Sequence, residues 1–121
     1  MSIVVAEDSS FIRELILLAL RKDGFEPAVA CDGEQAIARV REHRPRLLIL
    51  DAHMPNGDGY DVCRELALDP ERPYVLMLTA AASQAERDAA LAAGADEFMT
   101  KPFSPGELRS RVRELLAQPP G

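Results

Sequence analysis

Two cysteines and two histidines are the whole stock of thiol and imidazole in these 121 residues. Cys31 and Cys63 lie far apart without CxxC spacing, and His43 and His53 are too isolated to build a zinc site. Both cysteines are expected to pack as small buried apolar residues, and free thiols fit a reducing, cytoplasmic setting. The longest apolar run, from Leu15 to Leu20, is far too short to cross a bilayer, so no membrane role is expected. Met1 and Ser2 supply no basic segment of the kind that opens a secretory signal. Basic charge is scarce as well: 14 Lys+Arg stand against 20 Asp+Glu, a net charge of −6. Such a chain grips phosphate backbones poorly, and no nucleic-acid binding is expected of it alone. Internal repeats, linkers and low-complexity tracts are missing too.

What remains is the composition of a globule, with 47% hydrophobic and 28% charged residues. The length suits one domain that buries roughly two-thirds of its unfolded surface. That domain is expected over 1–117, with 118–121 (Gln118-Pro119-Pro120-Gly121) as a tail or the start of a linker.

Strand and helix patterns alternate along it. The β-branched run 3–6 suits a strand buried on both faces. Phe11, Ile12, Leu15, Ile16, Leu18 and Ala19 then recur at helical spacing until Gly24. A second strand over 25–31 carries Pro27, which suits a sheet edge. Asp32, with Gln35 three residues on, opens a helix whose inner face holds Ala36, Ile37 and Val40. Leu47-Leu48-Ile49-Leu50 is the third strand and stops at Asp51. A Pro/Gly/Asn loop leads to a helix carrying Val62, Cys63 and Leu66. The fourth strand, 74–78, ends at Thr79. Ser83 and Glu86 open an Ala-rich helix that closes at Gly94, and the fifth strand, 96–100, ends at Lys101-Pro102. Ser104, Pro105 and Glu107 start a last helix carrying Leu108, Val112, Leu115 and Leu116. Five strands alternating with five helices imply an α/β fold, a parallel sheet covered on both faces.

In such a sheet every strand's carboxyl end lies on one edge, where ligands bind near the reversal of strand order. The ends read Glu7-Asp8, Asp51, Thr79 and Lys101, whereas strand two ends in Ala30-Cys31. Order 2-1-3-4-5 sets the four polar ends side by side. Three close carboxylates raise one another's pKa, and a divalent cation with oxygen ligands resolves the conflict; Mg²⁺ suits it. Thr79 adds a hydroxyl donor and Lys101 an ammonium. Together these are the parts for phosphoryl transfer onto Asp51. Each has a plainer role when taken singly: Asp as a cap, Thr as the start of a turn, Lys before Pro as a solvated cation. The case rests on all of them falling at consecutive strand ends. Ser9, Ser10 and Ser83 are assigned to capping.

With these residues in place the chain resembles the receiver domain of a two-component response regulator over nearly its whole length. The matching pieces are Val5-Ala6-Glu7-Asp8-Ser9, Leu50-Asp51-Ala52-His53-Met54-Pro55 with Asp58-Gly59-Tyr60, Leu78-Thr79-Ala80, and the stretch from Gly94-Ala95-Asp96 to Thr100-Lys101-Pro102-Phe103. The resemblance implies a flavodoxin-like doubly wound sheet and a phosphorylation-dependent switch that is not a turnover enzyme. By that likeness Asp51 accepts the phosphoryl group from a phosphohistidine of a sensor histidine kinase or histidine phosphotransfer protein, or from a small phosphodonor. Mg²⁺ is held by Asp8, Asp51 and the backbone carbonyl of His53, with Glu7 acting through a water. Thr79 and Lys101 bond the phosphoryl group, and Lys101 precedes a cis Pro102. Phe98 stands at the family's switch aromatic without a tyrosine hydroxyl, and core packing is its plainer role. The His53 side chain lies beside the site, either tuning phosphoryl lifetime or having no effect. Movement of Thr79 is expected to bias the face of the fourth helix, fifth strand and fifth helix, which serves output or homodimer contacts. Arg87, Asp88, Asp96, Arg109, Arg111 and Arg113 are its candidate charged groups. A Mg-dependent phosphohydrolase with an aspartyl nucleophile is the enzyme alternative, though His53 stands where the haloacid dehalogenase type carries a second Asp. A flavin-binding module is the other, disfavoured by Glu7-Asp8 where a phosphate loop belongs.

Overall fold

The computed structural model describes residues 3–80 and 83–117, so the expected tail at 118–121 lies outside the described residues. Strands β1 (Ile3–Ala6), β2 (Ala28–Ala30), β3 (Leu47–Asp51), β4 (Tyr74–Thr79) and β5 (Glu97–Thr100) alternate with five helices. These are α1 (Ser10–Lys22), α2 (Gly33–His43), α3 (Gly59–Leu66), α4 (Gln84–Ala93) and α5 (Pro105–Ala117). Every pairing is parallel and the order is β2-β1-β3-β4-β5, the order that fits the polar strand ends.

Side chains alternate across each strand, which sorts the core into two layers. Val4, Ala6, Leu48, Leu50, Val75 and Met77 pack with Val40, Val62, Leu66 and Ala90 of α2, α3 and α4. Ile3, Val5, Leu47, Ile49, Leu76 and Leu78 pack with Ile16 and Leu20 of α1 and Leu108 and Val112 of α5. Each fully buried aliphatic side chain contributes about 1.5–3 kcal/mol, so the three central strands anchor the molecule.

Three expectations are corrected. Strand β2 is shorter than 25–31, because the Phe25 N–H is spent on the Leu20 carbonyl at the end of α1 (3.2 Å) and Pro27 has no N–H to give. The buried stripe of α1 is Ile16, Leu17, Ala19 and Leu20, while Phe11 and Leu18 are exposed. This helix is apolar nearly all round over its middle turns, so periodicity did not define which side faces the sheet. Cys31 is exposed, one residue past the end of β2 where the chain turns to the Asp32 cap, while Cys63 is buried as expected.

Side-chain caps begin the helices: Ser9 accepts from the Ile12 N–H, Asp32 from Gln35, Asp58 from Asp61 and Ser83 from Glu86. Helix α2 gains more from the loop after β3. Its Gly33 and Glu34 N–H groups donate to the Pro55 and Asn56 carbonyls at 3.3 and 3.1 Å. The approach demands glycine, since a Cβ at Gly33 would lie 2.0 Å from the Gly57 carbonyl oxygen. Gly33→Ala is therefore expected to lower the unfolding free energy by about 2 kcal/mol in urea titration, in the range for overpacking. An unchanged midpoint contradicts the close approach.

Candidate functional site

The register of the sheet brings the polar ends together. Leu50 pairs with Ala6 and Met77, Asp51 with Leu78, and Thr79 with Thr100. Continuing each strand by one residue sets Glu7 beside Asp51 and Lys101 beyond Thr79. The Lys101 ammonium lies 3.0 Å from both Glu7 Oε1 and Asp51 Oδ1. Its backbone N–H donates to the Thr79 carbonyl at 2.7 Å, and the Lys101–Pro102 peptide is cis. The His53 N–H donates to Asp51 Oδ1 at 3.3 Å. Ligand atoms of Glu7, Asp8 and Asp51 all lie within 4.8 Å of one another. Glu7, Asp51 and Thr79 are 1%, 4% and 1% exposed, whereas Asp8 is open to solvent, so the notch opens on its Asp8 side. Gly59 closes the floor: a Cβ there would stand 2.5 Å from the Asp51 carbonyl oxygen.

Burial and the neighbouring Asp51 push the Glu7 carboxyl well above the ordinary range, against the pull of Lys101 and the Ser9 N–H. Burial pushes Asp51 the same way, but hydrogen bonds with Glu7, Lys101 and the His53 N–H outweigh it and hold its carboxyl low. Lys101 is pulled down by burial and up, more strongly, by its two acidic partners. Asp51 is thus the ionised member of the pair, and a proton resides more readily on Glu7. A clustered, all-oxygen donor set with one ammonium fits a hard divalent cation such as Mg²⁺.

Comparison with known proteins agrees with this geometry. Residues 3–113 match the family model of the response regulator receiver domain. This chain belongs to that family. The DNA-binding response regulator MtrA of Mycobacterium tuberculosis is 44% identical over 114 residues, covering 94% of this chain and 50% of that protein. The chain spans about half the length of the curated relatives it matches. A crystal structure of a response regulator from Chloroflexus aurantiacus superposes with a TM-score of 0.88 at 34% identity, covering 96% and 97% of the two chains. The receiver domain of a sensor histidine kinase from Pseudomonas aeruginosa, with magnesium coordinated in its active-site cleft, gives 0.86 at 30% identity over 96% and 97%. Receiver domains are signalling switches that take phosphate from histidine kinases, and they are not turnover enzymes in the ordinary sense.

Other expected residues of the receiver domain lie away from the carboxylates. Phe98 is half-buried against the core layer under α4, and the Arg87 guanidinium sits 5.5 Å from its ring centroid. Helix α4 buries only Ala90 and Ala93, and this stacking is one of its contacts with β5. The His53 ring leans on Tyr60 at 6.3 Å between centroids. Most of the charged groups expected to face a partner are engaged within the chain. Arg109 and Arg113 pair with Asp23 at the end of α1, Asp96 with Arg72, and Arg111 with Glu97. Asp88 accepts from Gln84. The resemblance included Gly59 without the close approach to Asp51 that requires it, and Arg13, whose guanidinium donates to the Glu7 carbonyl at 2.9 Å, was not singled out.

Lys101→Met is expected to raise the titration midpoint of the Glu7/Asp51 pair in metal-free buffer, since a cation that favours the ionised form is lost. Carboxyl ¹³C shifts read it, and an unmoved midpoint contradicts the ion triad. Arg87→Ala should speed amide exchange in 84–93 by about two- to fivefold, the worth of one half-exposed cation–π contact. Uniform acceleration across the sheet instead would mean the contact does not act locally.

Proposed function

We propose that Asp51 is the phospho-acceptor of this receiver domain, taking a phosphoryl group from a phosphohistidine on a sensor histidine kinase or phosphotransfer protein. The reading rests above all on Lys101, held 3.0 Å from Asp51 in a buried acidic notch. An ionised Asp51 oxygen attacks phosphorus, an O–P bond forms, and the P–N bond breaks. Its electron pair returns to the imidazole, and the product is an acyl phosphate on Asp51. The Lys101 ammonium pairs with a phosphoryl oxygen, and the Thr79 hydroxyl donates to another. Asp8, Asp51 and the His53 carbonyl would hold Mg²⁺, with Glu7 acting through a water. When bound, the cation offsets the charge of the carboxylates and of the incoming phosphate.

Phosphorylation adds about −1.5 to −2 units of charge and three acceptor oxygens. Thr79 moves toward them, Phe98 fills the space left, and its stacking on Arg87 is given up. The weakly anchored α4 then shifts with β5 and α5, and this face controls output or homodimer formation. The exposed His53 side chain, against Tyr60, is the candidate for tuning phosphoryl lifetime. No nucleic-acid or membrane contact is assigned to this domain, given its acid excess and the lack, among the described residues, of any helix long and apolar enough to cross a membrane. We place it in the cytoplasm, where its phosphodonor is made. The hydrolase alternative would need an acid/base aspartate two residues beyond Asp51, where this chain carries the exposed His53.

Intact mass spectrometry tests the assignment. Incubation with acetyl phosphate and Mg²⁺ should add one phosphoryl mass, with none for Asp51→Asn and none under EDTA. Full uptake by Asp51→Asn sinks the assignment, and repeated turnover of a phosphate ester revives the hydrolase.

A further inference from the structure

The peptide unit that joins the two acids at the end of β1 is held from outside the notch. Glu7 donates its N–H to the Ala30 carbonyl at 3.0 Å, and its carboxylate accepts from Ser9 N–H at 3.2 Å and from Lys101 at 3.0 Å. Its carbonyl lies past the last residue of β1, beyond the ladder that pairs β1 with β3. Arg13, in the second turn of α1, reaches back and donates Nη1 to that carbonyl at 2.9 Å. The Glu7 carbonyl and the Asp8 N–H belong to one planar unit, so fixing the first orients the second. We infer that Arg13 is a positioning residue for the cation site: its guanidinium locks the Glu7–Asp8 peptide and thereby aims the Asp8 carboxylate at the point shared with Asp51.

The inference rests on the proposed metal site, and its sign separates it from a simple charge effect. A guanidinium bonded to the Glu7 carbonyl opposes binding of a cation at the neighbouring carboxylates by Coulomb repulsion, so removing the charge alone makes Mg²⁺ bind tighter. Loss of the lock makes it bind weaker, because Asp8 is no longer held at the site. Outer-shell hydrogen bonds of this kind commonly matter tenfold or more to metal affinity.

Calorimetric titration of the chain with Mg²⁺ decides between them. Arg13→Met should bind about tenfold more weakly than wild type, and Arg13→Lys, which keeps a donor, should recover to within about threefold. Phosphoryl uptake from acetyl phosphate by Arg13→Met should return to near the wild-type rate at saturating Mg²⁺, which a general structural defect would not allow. Should Arg13→Met not fold, Arg13→Gln carries the test: positioning leaves it no tighter than wild type, and charge alone makes it tighter. Equal or tighter binding in Arg13→Met, or tighter binding in Arg13→Gln, overturns the inference while leaving the metal site standing. Wild type that binds no Mg²⁺ overturns the metal site and this inference together.

Discussion

Three carboxylates share one end of a parallel sheet, two of them buried, and the ammonium of Lys101 is what makes that crowding tolerable. Placed at 3.0 Å from both Glu7 and Asp51, it offsets repulsion that water cannot screen at this depth. The compensation is partial by design: Glu7 is still driven toward its protonated form, and Asp51 is kept ionised. A site left short of positive charge favours whatever brings more, and a divalent cation does so. The nucleophilic role we propose for Asp51 draws on this imbalance, which keeps its carboxylate ionised.

The doubly wound sheet is what makes such crowding reproducible. Its three central strands are buried on both faces, so their register is pinned by two core layers, and their last residues cannot drift apart. Helix α4 is the exception to this rigidity. It contributes two buried alanines and a guanidinium laid on Phe98, and it follows directly on the segment after Thr79. In the switch we propose, a disturbance at the carboxyl edge is passed to this helix.

How much of this was legible in the sequence depended on burial. Strands β1, β3 and β4 announced themselves as apolar runs because parallel strands bury both faces, and the polar residues ending them marked the site. Where burial is one-sided the pattern blurred. The edge strand β2 came out shorter than its hydrophobic residues suggested, and α1 carried so many leucines that its inner face was ambiguous. Cys31 looked like a core residue and lies outside because the strand stops one position earlier. Long charged side chains were the least readable: Arg109 and Arg113 reach Asp23 on α1, and Arg13 reaches back to the Glu7 carbonyl, contacts set by helix packing that spacing does not encode. Gly59 was legible as a glycine, but its need arises only from how close α3 passes to the Asp51 backbone.

A crystal structure grown with Mg²⁺ and beryllofluoride, a stable mimic of a carboxyl-bound phosphoryl group, probes this arrangement most directly. The account predicts beryllofluoride on the Asp51 carboxylate, contacted by Lys101 and Thr79, with the metal seated among Asp8, Asp51 and the His53 carbonyl. Beryllofluoride on another side chain, or a metal bound away from Glu7, Asp8 and Asp51, would contradict it.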